Sequence, residues 1–256
     1  MEYFIGDYTQ EQILVIAFCA FLVGVSKTGV PGAGILNVPL MALVFSAKMS
    51  TGLLLPLLAM ADIFAVTYYH RHAQWKHIWR LLPWALAGIG AGSVIIRHIS
   101  DAQLKPIIGF IVLILLIVNY WRMRRAGNEL KIPTHWAFAA TLGFAAGLTT
   151  CMANAAGPIM VIYLLAMQLP KNEYIGTGAW YFLILNWLKI PLFVWDGRIS
   201  MASVKVDVLM LPAIATGAFL GIVILRKLPQ KYFNIIIQLF ALAATIKLCW
   251  SIKDLF

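Results

Sequence analysis

Apolar residues run for spanning lengths along nearly the whole chain, and polar residues gather in the short intervals between them. The pattern resolves into segments at about 12–27, 31–46, 51–70, 80–97, 104–121, 136–150, 155–169, 173–194, 204–225 and 231–249. A helix needs about 20 apolar residues to cross the hydrocarbon core of a bilayer. A strand of a membrane barrel would instead alternate apolar and polar positions over about ten residues. Ile107–Tyr120 and Ile235–Leu248 do not alternate. The pattern predicts an all-α integral membrane protein.

Two stretches depart from simple spanning. Residues 12–46 and 136–169 are too long for one helix, and each is broken near its middle. Gly29, Pro31, Gly32 and Gly34 interrupt the first, and Gly157-Pro158 interrupts the second. A helix broken at membrane depth frees backbone groups that lipid cannot satisfy, so the break must be buried in protein or line a wet cavity. The expected form is a short helix, a turn at depth and a second short helix.

The two breaks belong to a repeat. Gly24-Val-Ser-Lys-Thr-Gly29 is answered 123 positions later by Gly147-Leu-Thr-Thr-Cys-Met152. Asp62 stands opposite Asn186 at an offset of 124, and Leu82-Pro83, Gly88 and Gly92 stand opposite Leu211-Pro212, Gly217 and Gly221 at 129. The polar stretch after Trp121 separates the copies. The organisation read from this is a first membrane repeat at 1–121, a cytoplasmic linker at 122–135 and a second repeat at 136–256. A duplicated membrane chain with helix breaks at matching places has the sequence outline of a secondary transporter.

Charge adds orientation. Only 12% of the 256 residues are charged, against roughly 25% in soluble domains, while 62% are hydrophobic and the net charge is +10. The basic residues lie in short connections rather than in a tail or patch, which argues for membrane topology and against nucleic acid. If each broken stretch begins and ends on one face, that rule can be counted. Arg71, Lys76, Arg80, Arg122, Arg124, Arg125, Lys131, Lys171, Arg226, Lys227 and Lys231 then share one side, eleven against six (Lys48, Arg97, Lys105, Arg198, Lys205, Lys253). Treating each broken stretch as one crossing gives ten against seven. The first arrangement puts both termini outside the cytoplasm and makes the repeats inverted, each with a re-entrant-like hairpin followed by spanning helices. The N-terminus lacks the cationic start of a signal peptide. The three cysteines, Cys19, Cys151 and Cys249, form neither a disulfide framework nor a metal spacing.

The candidate chemistry lies at the breaks. Helix N-termini present free N–H groups and partial positive charge, a ready site for an anion. Ser26, Lys27, Thr28, Gly29, Gly32 and Gly34 are the candidates at the first break, and Thr149, Thr150, Asn154 and Gly157 at the second. The same small residues also suit close helix packing. Lys27 at membrane depth calls for an anion, a carboxylate or water, or else snorkels to an interface. Asp62 and Asn186 are each mid-span. An uncompensated carboxylate there is protonated or paired, so Asp62 is a candidate for a coupling proton or for a salt bridge with Lys27 or Lys189. Lys189 follows Asn186 by three residues on one helical face, and Asn186 is a candidate substrate contact. A buried network fixing helix register is the alternative for this group. His70, His72 and His77 cluster near Arg71 without acidic or cysteine neighbours, which reads as a solvated loop rather than a metal site. No phosphate-binding loop, zinc-helix motif or nucleophile elbow is present, so neither an enzyme nor a nucleotide-driven pump is expected, and no cofactor is called for.

At these residues the chain resembles the TauE/SafE family of sulfite-exporter-like permeases. The resemblance rests on Gly24–Pro39, with Lys27-Thr28-Gly29 and Pro31-Gly32-Ala33-Gly34, and on Thr149-Thr150-Cys-Met-Ala-Asn154-Ala-Ala-Gly157-Pro158. It covers nearly the whole chain. It implies an inner-membrane carrier for small anions, with sulfite, sulfonates or sulfoacetate-type compounds as substrates. Lys27 and Val30 stand where the family often has glycine or small residues. The expected mechanism is alternating access around one anion held between the breaks, in the export direction, with proton coupling through Asp62. Rival readings are an uncoupled anion channel, a carrier of sulfonates or carboxylates, and a non-transporting membrane scaffold. A homodimer is a further possibility.

Overall fold

The computed structural model describes residues 3–5, 8–29, 33–124, 136–227, 239 and 241–246. A small antiparallel pair, β1 (Tyr3–Ile5) and β2 (Tyr8–Thr9), precedes α1 (Gln10–Thr28), a 3-10 turn (Ala33–Leu36) and α2 (Asn37–Val44). Then follow α3 (Ala47–Tyr69), a second such turn (His70–His72), α4 (Trp75–His98) and α5 (Asp101–Arg124). The second half comprises α6 (Trp136–Ala153), α7 (Gly157–Ala166), α8 (Lys171–Trp195), α9 (Met201–Leu209) and α10 (Leu211–Lys227). Among the described residues, six helices are long and apolar enough to cross a membrane, or seven if α9 and α10 count as one bent span. Gly32, most of the 122–135 linker and most of the 231–249 segment lie outside the described residues.

Both expected breaks are present. The first falls between α1 and α2, and the second between α6 and α7. Local chemistry sets their ends. At the start of α1 the Thr9 hydroxyl accepts from the Gln12 amide at 3.3 Å while the Gln12 side chain accepts from the Thr9 amide at 3.0 Å. This reciprocal cap satisfies two of the free donors of a helix start. The Asp101 carboxylate does the same for α3 from a distance, accepting from the Ala47 and Lys48 amides at 2.9 and 2.7 Å. At the end of α6, Asn154 takes a positive φ of 53°, a conformation asparagine tolerates better than most residues. Pro158 falls in the first turn of α7, where no amide hydrogen is needed.

The 204–225 segment is not one rod, as the apolar pattern had suggested. It is α9 and α10, bent by 47°. Pro212 cannot donate to the carbonyl four residues back, and its ring presses on that carbonyl. The Met210 amide turns instead to the carbonyls of Val206 and Asp207, at 3.2 and 3.1 Å.

The helices pair across the two halves rather than within them. A Cβ on Gly24 of α1 would collide with the Ile214 carbonyl of α10, and one on Gly147 of α6 would collide with the Ala85 carbonyl of α4. These are one contact made twice, since 24 and 147 differ by 123 and 85 and 214 by 129. Close backbone approach through small residues is how membrane helices gain packing without a hydrophobic driving force. Successive contacts give the directions. Phe21 meets Gly217, and Gly29 meets Gly221, so α1 runs parallel to α10. Gly143 meets Leu81 and Gly92 meets Cys151, so α6 runs parallel to α4. Along α3 the order reverses: Asp62 meets Asn186, whereas Tyr69 meets Gly176. The central pair α3 and α8 is therefore antiparallel.

Candidate functional site

The two breaks and the α3–α8 pair converge on one polar cluster. Lys27, in the last turn of α1, places its ammonium 2.7 Å from the Asp62 carboxylate of α3. That end of the helix carries partial negative charge and favours a cation. The same ammonium stands 4.2 Å from the centre of the Phe182 ring, close enough for a cation–π contact. The Asn186 amide donates to the other Asp62 oxygen at 2.6 Å. Asp62 is fully buried, so its charge depends on these two partners.

A second group lies beside the first. Lys189 of α8 is also fully buried. Its ammonium donates to the Thr150 carbonyl and hydroxyl at 3.1 and 2.7 Å and to the Asn154 side-chain oxygen at 2.8 Å. The Asn154 amide nitrogen in turn donates to the Thr51 carbonyl at 2.8 Å. All three ammonium hydrogens are used on neutral oxygens. Among the described residues no carboxylate lies within ion-pair distance of Lys189. The cluster thus holds two lysine side chains and one carboxyl group.

A cavity of about 120 Å³ lies against these groups. Sites for drug-sized ligands run to roughly 300–1,000 Å³, so this one suits a small ion. Its polar wall is Ser26, Lys27, Thr150, Asn154 and Asn186, with the backbone at Gly34 and Gly157. Its apolar wall follows α7 and the first half of α8 through Met160, Leu164, Tyr174 and Phe182.

Seven of the residues singled out from sequence therefore face one cavity: Ser26, Lys27, Gly34, Thr150, Asn154, Gly157 and Asn186. Asp62 and Lys189 stand behind that wall, each one contact away. Three candidates are placed elsewhere. Thr28 is buried, and its hydroxyl donates to the Ala218 carbonyl at 2.7 Å. Gly29 packs on the backbone of Gly221. The Thr149 hydroxyl donates to the Ala145 carbonyl at 2.8 Å. The choice left open for Asp62 resolves to Lys27, and Lys189 joins Thr150 and Asn154 rather than its helix neighbour Asn186. Sequence reasoning passed over Asn37, the first residue of α2. It is fully buried, close to Gly34, and both ends of its amide lack a partner among the described residues. A lone asparagine between Leu36 and Val38 was the available signal. Phe182 was missed for want of any polar mark.

The chain matches the family described as Sulfite exporter TauE/SafE over residues 16–248. It belongs to the TauE/SafE family. Its members are membrane transporters, and the spanning helices of this chain fit that role. No curated protein and no solved structure gives a significant match.

Proposed function

We propose that this TauE/SafE member is a secondary carrier that exports sulfite or a related small sulfur oxyanion by alternating access. The observation that carries the reading is the cavity between the two broken hairpins, backed by two lysines and one carboxylate. An anion there meets one uncompensated positive charge in a region of low dielectric, where attraction is strong.

The repeats are read as inverted, related by an axis in the membrane plane. Antiparallel α3 and α8 support this, together with α1 parallel to α10 and α6 parallel to α4. If each hairpin turns back to its starting face, all three relations follow. If each hairpin were a single crossing, α3 and α8 would run parallel. Inverted repeats allow two states related by that axis, in which the gap beside one broken helix pair opens as the other closes.

The cavity runs along α7 and α8 toward their connection, on the side of Lys171 and the His70–His72 turn. That is the face richer in Lys and Arg, so the cavity is read as open to the cytoplasm, the entry side for export. Toward the opposite face the path is crossed by several contacts. Asn154 holds Thr51, and Arg198 donates to the Cys151 carbonyl at 3.1 Å and to Asp196 at 3.0 Å.

Flux into proteoliposomes tests the reading. A carrier shows saturation and counterflow: sulfite trapped inside draws labelled sulfite in against its gradient. Flux that rises linearly with sulfite and shows no counterflow is the signature of a channel, and absence of flux for every small anion is that of a scaffold. Dependence of the flux on a proton gradient reports coupling.

A further inference from the structure

The hydrogen-bond partners of Lys189 fix which atoms the cavity wall turns toward an anion. A lysine ammonium has only donors. Asn154 must therefore direct its oxygen to Lys189, which leaves its amide hydrogens for other partners. One of them goes to the Thr51 carbonyl, and the second is left for the cavity that Asn154 lines. Thr150 is constrained in the same way. Its hydroxyl oxygen accepts from Lys189 at 2.7 Å, so its own hydrogen points elsewhere and makes no bond to another of the described residues. Thr150 is 3% exposed and lines the cavity. The wall carries two oriented hydrogens, backed by a buried charge that never enters the cavity.

We propose that Lys189 is a positioning residue that makes this wall a donor surface through Thr150 and Asn154, so that the site takes an oxyanion by its unprotonated oxygens. The inference rests on the anion-carrier reading and narrows its substrate class to the fully ionised oxyanion over its singly protonated form. The singly protonated anion brings one negative charge fewer to the lysines and fewer bare oxygens to this wall, so the fully ionised form makes the stronger contact.

Purified protein is titrated with sulfite and with thiosulfate across neutral pH, where sulfite exchanges a proton with bisulfite and thiosulfate stays ionised. The titratable groups around the wall are Lys27 on α1, Asp62 on α3, Cys151 on α6, Lys189 on α8, and Asp196 and Arg198 in the following turn. Thiosulfate affinity reports any change in theirs. Apparent affinity for total sulfite is expected to rise with pH while that for thiosulfate stays level. Thr150→Val is expected to weaken both anions about tenfold or more, and Thr150→Ser to restore them. Lys189→Met is expected to lose binding and the pH rise together. Should that variant fail to fold, the two Thr150 variants still decide. Thr150→Val binding like the unmodified protein, or a level sulfite profile, overturns this inference and leaves the carrier reading standing. Absence of anion binding by the unmodified protein overturns both.

Discussion

Asn186 donates to Asp62 at 2.6 Å, and the two residues are counterparts in the repeats, 124 positions apart. Such a contact is what the proposed inverted repeat expects of equivalent positions. The pair is chemically unequal: one repeat supplies a carboxylate and the other a neutral amide. Lys27 takes up the difference, and its own counterpart at the offset of 123 is the uncharged Thr150. Positions that match in the sequence thus carry unequal charge.

Asp62→Asn leaves Lys27, 13% exposed at the cavity, with no carboxylate, and losing one partner of a largely buried pair costs up to about 3–5 kcal/mol. A clear fall in melting temperature is expected. Combining it with Asn186→Asp returns a carboxylate to the other side of the same hydrogen bond and is expected to recover most of the loss. Thermal unfolding of the three variants in detergent checks this. A double variant no better than Asp62→Asn would show that Lys27 needs its carboxylate on α3 itself.

Gly24 and Gly147 make the same crossing in the two halves, so their substitutions have matched consequences. Gly24→Ala and Gly147→Ala push a methyl group into a neighbouring backbone and are expected to cost more than the 1–3 kcal/mol typical of overpacked side chains. Gly90 of α4 has open space where its Cβ would be, so Gly90→Ala is expected to stabilise by about 0.5–1 kcal/mol. Monodispersity and melting temperature of each variant give the answer, and a tolerated Gly147→Ala would contradict the described packing of α6 on α4.

These relations show what the sequence alone could disclose. The breaks were legible because glycine and proline interrupt apolar runs, and Asp62 and Asn186 were marked by their matching places, although their contact was not foreseen. The partnership of α1 with α10 was not legible, since the glycines that permit close approach do not say which helix approaches. The bend at Met210 was hidden for a related reason. Pro212 marks it, yet its counterpart Pro83 lies within an unbroken α4. Lys189 was expected beside Asn186 from helical spacing. Its long side chain reaches across to α6 instead, a choice made by the tertiary fold.

Asp207 of α9 offers a control on function against packing. It is fully buried, and neither carboxylate oxygen has a hydrogen-bond partner among the described residues. Its counterpart at the offset of 129 is Ile78, equally buried in α4. The position therefore accepts a branched apolar side chain in one half. Asp207→Leu is expected to stabilise the protein by about 1–3 kcal/mol, the cost of an unsatisfied buried polar group. A melting temperature that falls would show that the carboxyl group has a structural partner.

The proposed transport cycle requires a single small anion to bind between the two helix breaks beside Lys27. Equilibrium binding of radiolabelled sulfite to purified protein, compared with Lys27→Gln, tests this most directly. One saturable site per chain is expected in the unmodified protein, with affinity reduced at least tenfold in the variant while its melting temperature shows it still folded. Equal sulfite binding by both proteins would contradict it.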